Sequence, residues 1–433
     1  MVAESGARFG AAGMRPVLIL LLFPLAAIAA DMPDLPPVAQ VEKALRAHPL
    51  VRAAGAGIHV EEANRDRLEA GPHEFAIRLS SQQRNDRLLD RSYREHEVSL
   101  ERAIRLPGKA AKDVALGAAG IEKARLALGD ALHESARLLL SRWFEWQREA
   151  AAVREWAAQV ETLQRQHEVV GKRVGAGDAA KLEELLSGAQ LAQAQAQLGQ
   201  AKGRRDRAAM ELSQAFPDIV LPADVSVLVP EPQKIVDSAE TLRERILANN
   251  RELAIARGAS RRGQLAAQRL DAERLPDPTL GVNVASERDD LERIVGLHLT
   301  IPLPGAARAA SARGGHAEAD AVYAREALVL ARAEAEARRT FSLAQNARAQ
   351  WQRLADVAAR MEENARLLDK AWRLGEGNFN DLQTVRRQSI EARLAAVQAR
   401  LEANEARYRL LLDAHELWDL DGKVEPGGAS LVH

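Results

Sequence analysis

The sequence predicts a mainly α-helical protein with membrane β-structure: a duplicated repeat of helix, strand, strand and long helical hairpin. Three observations carry this prediction. Hydrophobic residues make up 47% of the 433-residue chain but aromatic residues only 4%, with Ala, Leu, Glu, Arg and Gln prominent. That composition suits long helices better than a compact globular core. Two long stretches, 108–216 and 305–425, contain no proline. Four short segments alternate apolar and polar residues with a period of two, the strand pattern.

Taken in order, Arg8 and Arg15 precede the apolar run Val17 to Ala30, which contains Pro24 and the small-x-small triplet Ala27-Ile28-Ala29. The run is short for a spanning helix, so 1–30 is expected to be a signal peptide and the protein to be exported. No cysteine follows it, so no lipid anchor is expected there, and the chain holds together without disulfides.

The first repeat is expected at 31–216. Helical periodicity runs from Pro37 to about Ala70. Strand 74–82 sets Phe75, Ile77 and Leu79 against Ala76, Arg78 and Ser80, and "NDRLLDRSYR" reads as a polar connection. Strand 96–105 carries Val98, Leu100 and Ile104 on one side, with Arg102 interrupting that side. Leu106-Pro107-Gly108-Lys109 then opens a helical hairpin, 107–216, proline being tolerated in a first helical turn. Leu128, Leu132, Leu139 and Trp143 mark one face of its first arm. An arm of roughly 65 residues spans about 100 Å, too long for a globule, so the arms must pack lengthwise. Asp178 is the expected N-cap of the second arm.

A proline-rich linker, 217–237, leads to the second repeat at 238–418. It contains a helix from Ser238 to Leu275 and strand 278–286, with Leu280, Val282 and Val284. Strand 293–303 follows, with Val295, Leu297, Leu299 and Ile301, and then hairpin 304–418. Leu303-Pro304-Gly305-Ala306 echoes the earlier Leu-Pro-Gly-Lys. The tips, "RVGAGDAAKL" from Arg173 and "RLGEGNFNDL" from Arg373, align at an offset of two hundred. That sets Gly175 with Gly375, Gly177 with Gly377 and Leu182 with Leu382. A tail, 419–433, ends the chain.

The strands have the length and alternation of outer-membrane barrel strands. Four cannot close a barrel, and open edges are not tolerated in lipid. Three copies would give twelve strands and room for a lumen. Phe75 and Tyr93 are the aromatic residues available for a barrel rim.

Other function classes find little support. A formal charge of −1 provides no basic field for nucleic acid. Ten scattered histidines, no cysteine and no phosphate-cradling loop leave no catalytic constellation, cofactor site or metal cluster, so no enzyme is expected. His298, at a polar-facing strand position, reads as polar strand surface, with contact to a passing metal ion as the lesser alternative, and His96, in register with Val98 at the start of its strand, reads as the mark of a membrane edge.

The paired strands, the "LPGK" and "LPGA" turns, the "RVGAG" and "RLGEG" tips and the "GNFNDL" helix start, in this order twice, resemble the TolC family of outer-membrane efflux proteins. The resemblance covers about Leu35 to Trp418. It implies a homotrimeric 12-stranded barrel in outer-membrane lipid, continued by a periplasmic helical tunnel. The implied partners are a periplasmic adaptor and an inner-membrane pump of the RND type, exporting heavy metals or drugs. It also implies that the tips, Arg173, Val174, Gly175, Gly177, Arg373, Leu374, Gly375 and Gly377, dock the adaptor. On the residues alone the glycines are equally turn formers, and the arginines equally C-terminal helix cations. Asp381 matches the family's acidic aperture position, with Lys181, Glu184 and Arg386 as candidate partners, and Thr384 replaces a second acidic residue. The rival readings are a periplasmic adaptor, which usually has one hairpin, and a structural coiled-coil protein.

Overall fold

The computed structural model describes residues 32–222, 229–418 and 420; the expected signal peptide and nearly all of the tail lie outside them. The elements are α1 (Val38–Ala47), α2 (Pro49–Ala70), β1 (Phe75–Asp86), β2 (Arg91–Ala103), α3 (Pro107–Gly175) and α4 (Lys181–Ala215). The same order then recurs as α5 (Ala239–Asn249), α6 (Arg251–Ala272), β3 (Thr279–Glu287), β4 (Glu292–Thr300), α7 (Ala306–Arg373) and α8 (Phe379–Asp413).

Each leading helix, expected to be continuous, is broken at equivalent places for different local reasons. His48 is extended, with ψ 134°, because a residue before proline is pushed out of the helical region. Asn250 is extended, with ψ 112°, and its side chain accepts the Leu253 amide at 2.7 Å, capping α6.

The strands also differ from expectation. β1 and β2 extend into the segment read as a polar connection, leaving only residues 87–90 as the turn. Polar side chains there pair across the strands, Ser92 donating to Asn85 at 2.7 Å and Gln82 to Glu95 at 2.8 Å. Such pairing stabilises a ladder without the apolar alternation that reveals strands in a sequence. β4 stops at Thr300 rather than 303, because Pro302 and Pro304 have no amide to donate.

The four strands form one antiparallel sheet in the order β1-β2-β3-β4, with β2–β3 joining the two repeats. Their register sorts every side chain. Ile77, Leu100, Val282 and Leu297 lie in one row across the sheet; Leu79, Val98, Val284 and Val295 lie in the next. This face is uncovered: Leu297 on an edge strand is 80% exposed and Val282 on an inner strand 45%. Arg102 interrupts it but turns back, its guanidinium 4.8 Å from the Phe75 ring centre and its Nε donating to the His73 carbonyl at 2.7 Å. The opposite face is polar and internally paired, Arg78 with Glu101 at 3.0 Å and Asn283 with Glu97 at 3.0 Å. His298 belongs to it, 3.4 Å from Glu101. So does Tyr93, two residues from Glu95 on the same strand, which removes it from the expected rim. Among the described residues the outer edges of β1 and β4 have no partner strand.

Below the sheet, α4 lies along α3, and α8 lies between α3 and α7. At 69 residues, α3 is about 100 Å long. The main core sits midway, where Leu139, Leu140, Trp143 and Phe144 of α3 meet Leu212, Leu401, Tyr408 and Leu412. Asp34 fastens the start of the described chain into it: its carbonyl accepts from Trp143 and Gln147, each at 2.7 Å, and its carboxylate from Tyr408 at 2.6 Å. Among the described residues no helix is long and apolar enough to cross a membrane.

Candidate functional site: the paired hairpin tips

Both tips are closed by the same backbone device. At the end of α3, the Gly177 amide bonds the Val174 carbonyl at 3.1 Å and the Asp178 amide bonds the Arg173 carbonyl at 2.8 Å. At the end of α7, the Gly375 amide bonds the Trp372 carbonyl and the Glu376 amide the Ala371 carbonyl, both at 3.0 Å. These are Schellman turns, which require a left-handed residue just past the helix. That residue is Gly177, with φ +82°, in the first tip and Gly375, with φ +78°, in the second.

The equivalence therefore runs at 375 − 177 = 198, not at two hundred. The arginines and glycines that align in the sequence do not occupy equivalent positions. Gly175 is the last residue of α3, and a side chain added there would meet nothing within 4 Å. Gly377 has a different role: a Cβ there would lie 2.8 Å from the Trp372 amide nitrogen, so the returning chain crosses close over the end of α7.

The arginines diverge accordingly. The Arg173 guanidinium stacks 5.0 Å from the centre of the Trp372 ring, bridging the two hairpins. Arg373 is largely exposed and pairs with Asp369 one turn back at 2.8 Å. Trp372 is buried with Phe379, Leu382 and Val170, and with Val174 and Leu368 at the margin, in a small core shared by both tips. The Trp372 and Phe379 rings lie 5.7 Å apart. Val174 is thus tied to this core, while Leu374 is 65% exposed beside Gly375.

The returning helices begin differently. Asn378 caps α8 by accepting the Asn380 amide at 2.8 Å. Asp178 does not cap α4: its amide closes the tip turn, and α4 starts two residues later at Ala180, whose methyl side chain provides no acceptor.

The expected aperture group is dispersed. Arg386 lies in the interior, bonded to Asp369 and to Gln166 of α3; burial pulls its guanidinium below the ordinary arginine range, and Asp369 opposes that pull. It locks α8 to its neighbours and is not offered to Asp381. Lys181 pairs with Glu184 on the same helix. Asp381 is exposed in the first turn of α8. Its structural counterpart at 381 − 198 is Glu183, which the sequence alignment passed over; Glu183 Oε2 is buried without a hydrogen-bond partner. Trp372 and Phe379 were also missed, although two of only sixteen aromatic side chains beside one glycine turn was the available signal. Among the described residues no group of three or more acidic, histidine or cysteine side chains is placed to hold a metal ion.

The sequence matches no protein-family profile and no curated protein. Solved structures match along most of the chain. The outer-membrane channel OprN superposes with a TM-score of 0.73 at 17% identity, covering 87% of this chain and 89% of that one. The CmeC outer membrane channel of Campylobacter jejuni gives 0.71 at 13% identity, covering 89% and 86%. The outer membrane protein VceC of Vibrio cholerae gives 0.68 at 14% identity, covering 87% and 95%. At these identities the likeness is one of fold.

Proposed function

We propose that this chain, which has the fold of the TolC family of outer-membrane channels, is the exit duct of a tripartite efflux system. The observation that carries the reading is the four-stranded sheet, one face apolar and exposed, both edges unpaired among the described residues. In water that face would remain wetted at a cost of about 25 cal/mol per Å² of apolar surface. In lipid the open edges would leave backbone groups unsatisfied. Pairing β1 of one copy with β4 of the next removes both penalties, and three copies make a twelve-stranded barrel with the polar face inward. The hairpins then continue the barrel as a helical tunnel. No catalytic or cofactor role is needed; cargo passes through.

In this reading signal-peptide cleavage and export deliver the chain to outer-membrane lipid as a homotrimer. The hairpin tips reach a periplasmic adaptor, which couples the duct to an inner-membrane pump of the RND type exporting heavy metals or drugs. Exposed Arg373, Leu374 and Gly375, with Gly175 and Gly177 on the first tip, form the docking surface, and Arg173 and Val174 stiffen it from behind. Asp381 and Glu183 replace the wider aperture group. Two hairpins and lipid-ready strands favour this over an adaptor or a structural coiled coil.

The test is the mass of the assembly extracted in mild detergent from outer membranes of a Gram-negative host. Trimers of signal-cleaved chains support the reading. A soluble periplasmic monomer overturns it.

A further inference from the structure

We infer that the outward face of the sheet, at its turn end, binds an acylated sugar carrying phosphates in the outer leaflet. The inference rests on the channel reading, in which the apolar face meets lipid and the β1–β2 and β3–β4 turns, far from the helices, face the exterior. Strand alternation carries it. The strands hold six carboxylates, Asp86, Glu95, Glu97, Glu101, Glu287 and Glu292. The register sets all six on the polar face. The outward face has none, and its charges are basic.

Next to the apolar row of Leu79, Val98, Val284 and Val295, on the turn side, comes the row of Ser81, His96, Ser286 and Arg293. One row further, Gln83 pairs with Arg94. Ser286 is half-buried and the others are exposed. On the polar face Arg78 and Arg84 each have a glutamate, at 3.0 and 3.4 Å. Among the described residues the Arg94 and Arg293 guanidiniums have no ion-pair or hydrogen-bond partner. Two acids of the adjoining turn bond elsewhere: Asp289 accepts the Arg94 backbone amide at 2.8 Å, and Asp290 accepts the Ser286 hydroxyl.

The chemistry of the partner follows. A guanidinium fork matches phosphate oxygens, and an unpaired one beside a lipid-facing surface favours an anionic headgroup. The two arginines stand two strands and one row apart, about 12 Å between Cα atoms, a span that suits a headgroup with two phosphates. Ser81, Gln83 and His96 provide neutral donors and acceptors between them, as a hydroxyl-rich sugar requires. The three apolar rows extend roughly 20 Å along the strands, no taller than the band that acyl chains cover on such barrels. The basic row therefore begins where the hydrocarbon ends.

The probe is lipid A bearing both phosphates, added to the detergent-extracted trimer of the full chain and followed by native mass spectrometry. Saturable retention of one lipid per chain is expected, and fully dephosphorylated lipid A should bind at least tenfold more weakly. Arg94→Gln combined with Arg293→Gln should weaken lipid A binding at least tenfold. Arg91→Gln, at an exposed arginine that alternation places on the polar face, should leave binding unchanged. Equal binding of the dephosphorylated lipid overturns the inference, as does full binding by the double variant or an equal loss in Arg91→Gln. Displacement of lipid A by an equal concentration of phosphatidylglycerol or inorganic phosphate overturns the choice of a phosphorylated sugar. If the double variant does not assemble, the dephosphorylated lipid decides alone. Absence of any membrane trimer defeats the channel reading; a trimer without this lipid preference defeats only the inference.

Discussion

The two hairpin tips are built on one turn but anchored in different ways. In the second, Trp372 and Phe379 form a miniature core, Asn378 caps the returning helix, and α8 is held between α3 and α7. In the first, the returning helix starts at an uncapped Ala180, leans on α3, and leaves Leu182 and Leu185 more than 60% exposed. Duplication supplied the same backbone solution twice. Divergence of a few side chains put the aromatic residues of the shared core on the second tip and left the first with an open apolar flank. In the trimer we propose, that flank is free to meet a neighbouring copy.

The largest expected effect comes from Gly375→Pro. Proline fixes φ near −65° and cannot adopt the left-handed turn, so the second tip must rebuild. Export should be abolished while trimers still form in outer membranes; loss of the trimer would show that the tip serves assembly instead. Trp372→Ala should follow, costing about 3–5 kcal/mol in local opening, as expected for removal of a buried ring. Hydrogen exchange should accelerate across 379–384 much more than across 181–186, and equal acceleration would break the contrast between the tips.

Smaller effects sharpen the register. Gly177→Ala and Gly375→Ala should each cost about 1–2 kcal/mol in denaturant unfolding, the penalty of a left-handed Cβ. Gly175→Ala should instead be neutral or stabilise by roughly 0.5–1 kcal/mol, as alanine replaces glycine within a helix. A Gly175 penalty equal to that of Gly375 would restore the offset of two hundred. Next, Asn378→Ala should cost about 1 kcal/mol and Ala180→Asn should recover a similar amount, measured by local exchange. Least of all, Arg173→Ala should cost about 0.5–1 kcal/mol through its lost Trp372 contact. Arg373→Ala, losing only a solvated pair, should cost about 0.5 kcal/mol or less.

Particular residues show where sequence reading succeeds. Alternation in "PTLGVNVAS" exposed β3 because Leu280, Val282 and Val284 all fall on one of its faces. The end of β1 beyond residue 82 stayed hidden because Arg84 and Asn85 find their partners, Glu95 and Ser92, on another strand, which a one-dimensional pattern cannot display. Arg102 looked like a break in its strand, and only the nearby Phe75 ring and His73 carbonyl explain it. The tips were legible as turns, since two glycines between proline-free helices admit little else. Their register was not, since it depends on which glycine meets the left-handed position when each helix ends.

By itself, then, the sequence determined the periods, the punctuation and the repetition: two hairpins about 100 Å long, four strands and the turns between them. These are local properties, set by propensity, proline, glycine and hydrophobic spacing within a few residues. Tertiary structure decided the pairing of β2 with β3, the 198-residue equivalence, and the capture of Arg386 by Asp369 and Gln166. Each of these joins atoms far apart along the chain, and only the packed helices and the shared sheet bring them within reach.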